Sequence, residues 1–251
     1  MTARKKIYFA SDFHLGLEAD TDPLAREKHV VAWLRSVAGD AAAIYLVGDI
    51  FDFWWEYKSV VPKGFTRFLG TISELTDRGL EIHFFTGNHD MWISDYLSKE
   101  CGMILHTKPL NTTLLGKKFY IVHGEGLGTR DTSYKILLWI FRNRLLRKIY
   151  SFLHPRIGLA IAHRWTKQSR LAKHYASELK YPENESLIRH AKKILESEEV
   201  DYFVFGHRHI ALEYEVGRQG SRIFFLGNWF SAPCYLSWDG SKAVLHEFNY
   251  R

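Results

Sequence analysis

Apolar residues recur along the first half of the chain in two alternating registers. Short β-rich runs, KIYFA at 6–10, AAIYLV at 42–47 and EIHFFT at 81–86, are bounded by polar turns. Between them Arg26–Val37 and Phe65–Asp77 space their apolar residues for one face of a helix. The order predicts a βαβαβ unit and a mixed sheet. A hairpin follows, with a strand near Asn111–Leu115, a turn at Leu115–Gly116–Lys117 and a second strand at KKFYIVH, 117–123.

The pattern then changes. From Ser133 to Tyr181 the chain reads as wholly helical, broken at His154–Pro155, and Ile136, Ile140, Leu145 and Ile149 leave basic residues on the other faces. Pro182 separates this stretch from a further helix over Glu183–Glu198. DYFVFGH at 201–207 returns to strand character, and from Ile210 onward the chain alternates like antiparallel strands around 217–221 and 239–242. No repeat, low-complexity tract or Gly/Ser-rich linker divides the chain. The expectation is one α/β domain over residues 1–251 with a helical cap inserted at about 131–181.

Composition sharpens this picture in three places. Residues 134–180 hold 11 Lys or Arg against Glu178 alone, a local charge of +10 that leaves the remainder of the +6 chain at −4. Such a face attracts an anionic substrate, anionic lipid head groups or nucleic acid. The two cysteines, Cys101 and Cys234, form no CxxC pair and cannot staple 251 residues, which fits a reducing cytoplasm. The opening MTARKKIYFA has no signal-peptide core, and no apolar stretch is long enough to span a bilayer.

The chemistry sits in five short segments, each directly after a predicted strand: SDFHLG, GDIFDFWW, GNHD, HGEG and GHRH. Asp12 and His14, two apart at a strand end, project to one side. Asp49 has two carboxylate oxygens with which to bridge two cations, and Gly48 permits a close backbone approach. Asn88 offers a neutral oxygen and His89 an acid or phosphate contact, while His123, His207 and His209 supply nitrogens. Alone, each segment is as well read as an N-cap or turn. His29, His83, His106 and His246 have no companion motif and read as core or surface residues. Five segments in order, all at strand ends where α/β sheets gather reactive groups, point to two divalent cations.

D-x-H, G-D, G-N-H-D, H-G and G-H-x-H resemble the calcineurin-like metallophosphoesterase superfamily over residues 7–209. The resemblance implies a four-layer α/β/β/α sandwich of two mixed sheets. It implies one cation on Asp12, His14, Asp49 and His209, and a second on Asp49, Asn88, His123 and His207. His89 would stabilise the transition state or protonate the leaving group, with Asp90 orienting it. Mixed N/O ligation suits Mn²⁺, the expected cation, or Fe or Zn²⁺.

GDIFDFW, the helical insertion after HGEG and the full-length likeness resemble the UDP-2,3-diacylglucosamine diphosphatases of lipid A biosynthesis. Those enzymes split a pyrophosphate to release UMP and 2,3-diacylglucosamine 1-phosphate. His89 departs from the enterobacterial members, which carry Arg there, and matches the wider superfamily. The resemblance implies substrate contacts from His89 and, in the cap, from Lys167, Gln168, Arg170 and Lys173. Leu137, Leu138, Ile140 and Phe141 would line an acyl cavity or rest on the bilayer, or else pack as core. Trp54 and Trp55 read as core packing or as a wall that stacks the uracil. The expected partners are a lipid-linked nucleotide and the anionic surface of the inner membrane from the cytoplasmic side, and no nucleic acid. A phosphodiesterase, nuclease or phosphomonoesterase with another substrate is the competing enzyme; a merely binding module would have lost ligands, and here every ligand position is filled.

Overall fold

The computed structural model describes residues 5–18, 22–127, 139–141, 143–158, 160–161, 164, 183, 185–217 and 220–249. In chain order the strands are β1 Lys6–Ala10, β2 Ala41–Val47, β3 Glu81–Phe85, β4 Ile104–His106, β5 Leu110–Leu114, β6 Lys117–Val122, β7 Tyr202–Phe205, β8 Ala211–Val216, β9 Ser221–Leu226, β10 Cys234–Trp238 and β11 Ala243–Glu247. The helices are α1 Pro23–Val37, α2 Thr66–Asp77, α3 Tyr96–Cys101, α4 Arg144–Ser151 and α5 Ser186–Ile194.

Two sheets form. The first runs β11-β10-β1-β2-β3-β4, the second β5-β6-β7-β9-β8, and each mixes parallel and antiparallel neighbours. Strand alternation decides what each face buries. In β1, Ile7 and Phe9 point between the sheets with Ala43, Tyr45 and Val47 of β2, where they meet Phe119, Ile121, Val204 and Phe224 of the second sheet. Tyr8, Ala10, Ile44 and Leu46 face the other way, onto Trp33 and Leu34 of α1 and Phe68 and Ile72 of α2. The outer face of the second sheet, including Phe203, Phe205, Ile223 and Phe225, packs on Leu187, Ile188 and Ala191 of α5. The result is the four-layer α/β/β/α sandwich of two mixed sheets that the motifs implied.

Helix starts show which local signals operate. Asp22 caps α1, accepting from Leu24 N at 3.3 Å and Ala25 N at 3.1 Å, with Pro23 in the first turn. The α2 start has no cap of its own; Glu27 of α1 accepts from Arg67 N at 2.8 Å and Phe68 N at 3.0 Å. That cap is tertiary, so no local pattern marks it.

Several expectations need correction. The stretch read as one helix up to His154 is interrupted at Asn143, whose side chain accepts from Leu145 N and Leu146 N and so starts α4 afresh. The break before Pro155 is present. The helix expected over Glu183–Glu198 is α5, Ser186–Ile194, with turns beyond it. Short α3 and β4 were not foreseen, and the C-terminal strands divide between the sheets, β8 and β9 in one and β10 and β11 in the other. No helix among the described residues is long and apolar enough to cross a membrane.

Candidate metal centre

The carboxyl ends of β1, β2 and β3 in the first sheet and of β6 and β7 in the second open toward one place. Asp12, His14, Asp49 and His209 have ligand atoms within 4.8 Å of one another, as do Asp49, His123 and His207. Asp49 belongs to both groups. Its Oδ2 lies 3.2 Å from His123 Nε2 and 3.9 Å from His14 Nε2, while Oδ1 accepts from His89 N at 2.8 Å. A single oxygen, rather than one from each side of the carboxylate, therefore faces the two groups.

The backbone supports this convergence at a cost. Seven described non-glycine residues adopt positive φ, and Asp12 (56°), His14 (45°), Asp49 (52°), His207 (66°) and His209 (56°) are five of them. Side chains resist that region, so strain gathered on five residues of one cluster marks a functional site. Glycines make the room: a Cβ on Gly48 would stand 2.6 Å from the His123 ring, one on Gly87 would meet Asp49 Oδ1, and one on Gly206 would meet Ser11 Oγ.

Asp12 and His123 each keep one atom tied and one turned inward. Asp12 Oδ2 accepts from Ser11 Oγ at 2.6 Å and His207 N at 3.0 Å, leaving Oδ1 2.9 Å from His209 Nε2. His123 Nδ1 donates to Val47 O at 2.8 Å, so its buried Nε2, which makes no hydrogen bond, is the nitrogen for a metal. His14 and His209 turn their Nε2 atoms to within 3.2 Å of each other. Donors bound side by side on one cation at about 2.1 Å stand about 3.0–3.4 Å apart, so these spacings suit a shared ion. Asn88 Oδ1 is buried without a hydrogen bond, another acceptor awaiting a cation.

Charge leads to the same conclusion. Asp12, Asp49, Asp52 and Asp90 are all buried, at 0, 1, 5 and 0% exposure. Four buried carboxylates need compensating charge, which two divalent cations would supply. Burial alone would raise Asp12 and Asp49, but neighbouring imidazoles, His209 for Asp12 and His123 for Asp49, outweigh it and hold both low. Burial would lower His123, yet Asp49 and Asp12 lift it well above its ordinary value. Protons therefore compete with metal for His123. Binding of Mn²⁺ near pH 7 is expected to release a proton and to strengthen with pH until His123 is neutral. Titration calorimetry in two buffers of unequal ionisation enthalpy checks this; identical apparent enthalpies would contradict it.

Asp90 does not take the place expected for it beside His89. Its Oδ1 accepts from Gly87 N at 2.7 Å and its Oδ2 from Ile50 N at 2.8 Å and Phe51 N at 3.3 Å, so it ties the GNHD loop to the GDIFDF loop. Burial and the adjacent Asp49 push its carboxyl up to about 7, against the pull of the amides. The residue beside the His89 ring is Asp52. His89 Nδ1 donates to the Asp52 carbonyl at 2.9 Å, and Asp52 Oδ1 lies 3.4 Å from His14 Nδ1 and 3.7 Å from His89 Nδ1. Asp52 thus orients two site histidines. It stands three residues after Asp49 in a motif already singled out, and that spacing was its signal.

A further loop, after β9, was also missed. Asn228 Nδ2 donates to His209 O at 3.1 Å, and the Phe230 ring stands edge-on to His14 and His209, with centroids 5.7 and 5.2 Å away. Its signal was the polar Asn at another strand end.

Phe141 and Tyr150 are fastened beside this centre by aromatic side chains. Trp55 packs on Tyr150 of α4 at 4.4 Å and near Trp92 at 5.9 Å, and Trp92 Nε1 donates to Phe141 O at 3.1 Å. Trp54 is core, fully buried against Phe51. Phe141 packs edge-on against Trp92, and Ile140 is exposed. Lys167, Gln168, Arg170 and Lys173, with Leu137 and Leu138, lie outside the described residues.

The family model for calcineurin-like phosphoesterases matches residues 5–211. A protein named UDP-2,3-diacylglucosamine hydrolase from Porphyromonas gingivalis is 42% identical over 96% of this chain and 97% of its own length. One of the same name from Neisseria meningitidis serogroup A is 29% identical over 96% and 97%. Among solved structures, the phosphoesterase Yfce from E. coli superposes with a TM-score of 0.45 at 13% identity, covering 97% of this chain and 100% of that one. The chain belongs to the calcineurin-like phosphoesterase family and is a metal-dependent hydrolase.

Proposed function

We propose that the protein hydrolyses the pyrophosphate of UDP-2,3-diacylglucosamine, giving UMP and 2,3-diacylglucosamine 1-phosphate, on two divalent cations. The observation that carries the chemistry is Asp49 Oδ2, shared by two groups of inward-facing ligands. Support for the substrate comes from the relative of that name, 42% identical over nearly the whole chain.

In this reading Asp12, His14, Asp49 and His209 hold one cation and Asp49, Asn88, His123 and His207 the other, with Mn²⁺ as the resident ion. Such cations neutralise phosphoryl charge and acidify a water. The chain supplies the rest. Asp12 and His123 are fixed by Ser11 and Val47, so neither has to be ordered during the reaction. With Nδ1 committed to Asp52, His89 presents Nε2 to the substrate and can hold a proton there for an equatorial or leaving oxygen.

Residues 131–181 are proposed as a cap on the single domain 1–251, resting on the cytoplasmic side of an anionic inner membrane. Trp139, Leu145, Ile149, Phe152 and Ile157 are each more than half exposed, and Arg147, Lys148 and Arg156 stand among them. An exposed apolar face with interleaved cations suits a lipid surface. Lys167, Gln168, Arg170 and Lys173 are proposed to meet the substrate's phosphates.

The assay that tests this reads UMP release from UDP-2,3-diacylglucosamine in mild detergent with Mn²⁺, beside p-nitrophenyl phosphate and bis-p-nitrophenyl phosphate. Rapid release abolished by chelator is expected. Turnover of the two nitrophenyl esters alone would overturn the lipid-nucleotide assignment and leave the dinuclear chemistry standing.

A further inference from the structure

The tightest turn of the site is at His207. Arg208 N donates to Gly206 O at 2.7 Å, closing a three-residue γ-turn with His207 at its centre and φ at 66°. This hand of γ-turn is the strained one, and strain persists only where the surroundings over-determine it. Neighbouring loops of the site hold three of the four residues. Gly206 N donates to His123 O at 3.0 Å, His207 N to Asp12 Oδ2 at 3.0 Å, and His209 O accepts from Asn228 Nδ2 at 3.1 Å.

Arg208 is anchored elsewhere. Its guanidinium lies 2.9 Å from Glu185 Oε2, and Glu185 is 7% exposed, at the point where the chain enters α5. The side chain of Glu185 stands at the N-cap position yet makes no capping bond to the helix. Its carboxylate goes to Arg208 and Ser186 instead. The helix it precedes is rigidly seated, with Leu187, Ile188 and Ala191 in the core of the second sheet. A half-buried pair on such a support differs from an exposed surface pair, whose worth is near zero.

We infer that Glu185 and Arg208 are positioning residues for His207, setting the affinity of the second cation without touching it. The inference rests on the dinuclear reading above. His209 is braced separately by Asn228, so the first cation is spared. Removing a partner that orients a ligand weakens metal binding by about 10- to 100-fold.

The test titrates Mn²⁺ into wild type, Arg208→Gln, Arg208→Lys and the pair Glu185→Gln with Arg208→Gln, following free Mn²⁺ by electron paramagnetic resonance and folding by thermal melting. Expected are two sites in wild type, and in Arg208→Gln one site unchanged with the other weakened about 10- to 100-fold. Arg208→Lys recovers part of the loss. Arg208→Gln leaves a buried unpaired carboxylate; if it melts too low, the double variant, which does not, carries the comparison. Two unchanged sites, or two sites weakened equally, overturn the positioning role. A single Mn²⁺ in wild type overturns the dinuclear reading itself.

Discussion

Asp49→Asn is expected to lower turnover by roughly a thousandfold or more, because the charge stabilisation supplied by the cations is worth several kcal/mol. Asn has the same shape and tolerates the positive φ at this position, so the backbone is left alone. Its amide oxygen still accepts the His89 N–H, while its amino group replaces the oxygen that faces His14 and His123. Both cations should weaken together, whereas His123→Ala weakens one. The metal-free variant should melt below the wild-type temperature, since the carboxylate that His123 keeps ionised has gone and leaves that buried imidazole without its partner. Metal content, turnover and melting are read on one preparation; near-normal turnover with two Mn²⁺ bound would sink the dinuclear mechanism.

Gly48→Ala is expected to cost about 2–5 kcal/mol of folding stability in metal-free protein, together with the site. Two effects add. The new Cβ stands 2.6 Å from Cγ and Nδ1 of a fully buried His123, where overpacking costs about 1–3 kcal/mol. The φ of 80° adds about 1–2 kcal/mol for any side chain. Gly39→Ala, which meets nothing within 4 Å, serves as control and should stay within about 0.5 kcal/mol. Urea unfolding measures both, and a Gly48→Ala curve overlying that of Gly39→Ala would contradict the packing argument.

Much of this molecule was legible because its signals are local. Alternation in KIYFA and AAIYLV sets which residues face between the sheets, and strand ends followed by Asp, His or Asn set which loops carry chemistry. What escaped depends on contacts distant in sequence. Glu27 caps a helix 40 residues away, and no pattern near Thr66 records it. Asp90 turns to three amides, those of Gly87, Ile50 and Phe51, rather than to His89, and two of them lie about 40 residues away in sequence. Asp52, in contrast, lies inside a motif whose Asp49 alone accounts for the metals, so its role beside His14 and His89 shows only in three dimensions. Asn143 shows the limit of periodicity: apolar spacing continues through it, and one side chain competing for two amides ends the helix.

The aromatic fastening of the insertion bears on how such proteins diversify. Trp55 and Tyr57 belong to the loop after β2 and Trp92 to the loop after β3, yet their partners Phe141 and Tyr150 are in the insertion. A recombination event that exchanged residues 141–150 alone would sever these pairs and strand two tryptophans beside the ligand loops. A chimera that keeps these contacts carries residues 53–57 and 92 along with residues 141–150. Phe141 and Tyr150 are therefore tied to the loops after β2 and β3 as one packed block, although the sequence that encodes it is scattered.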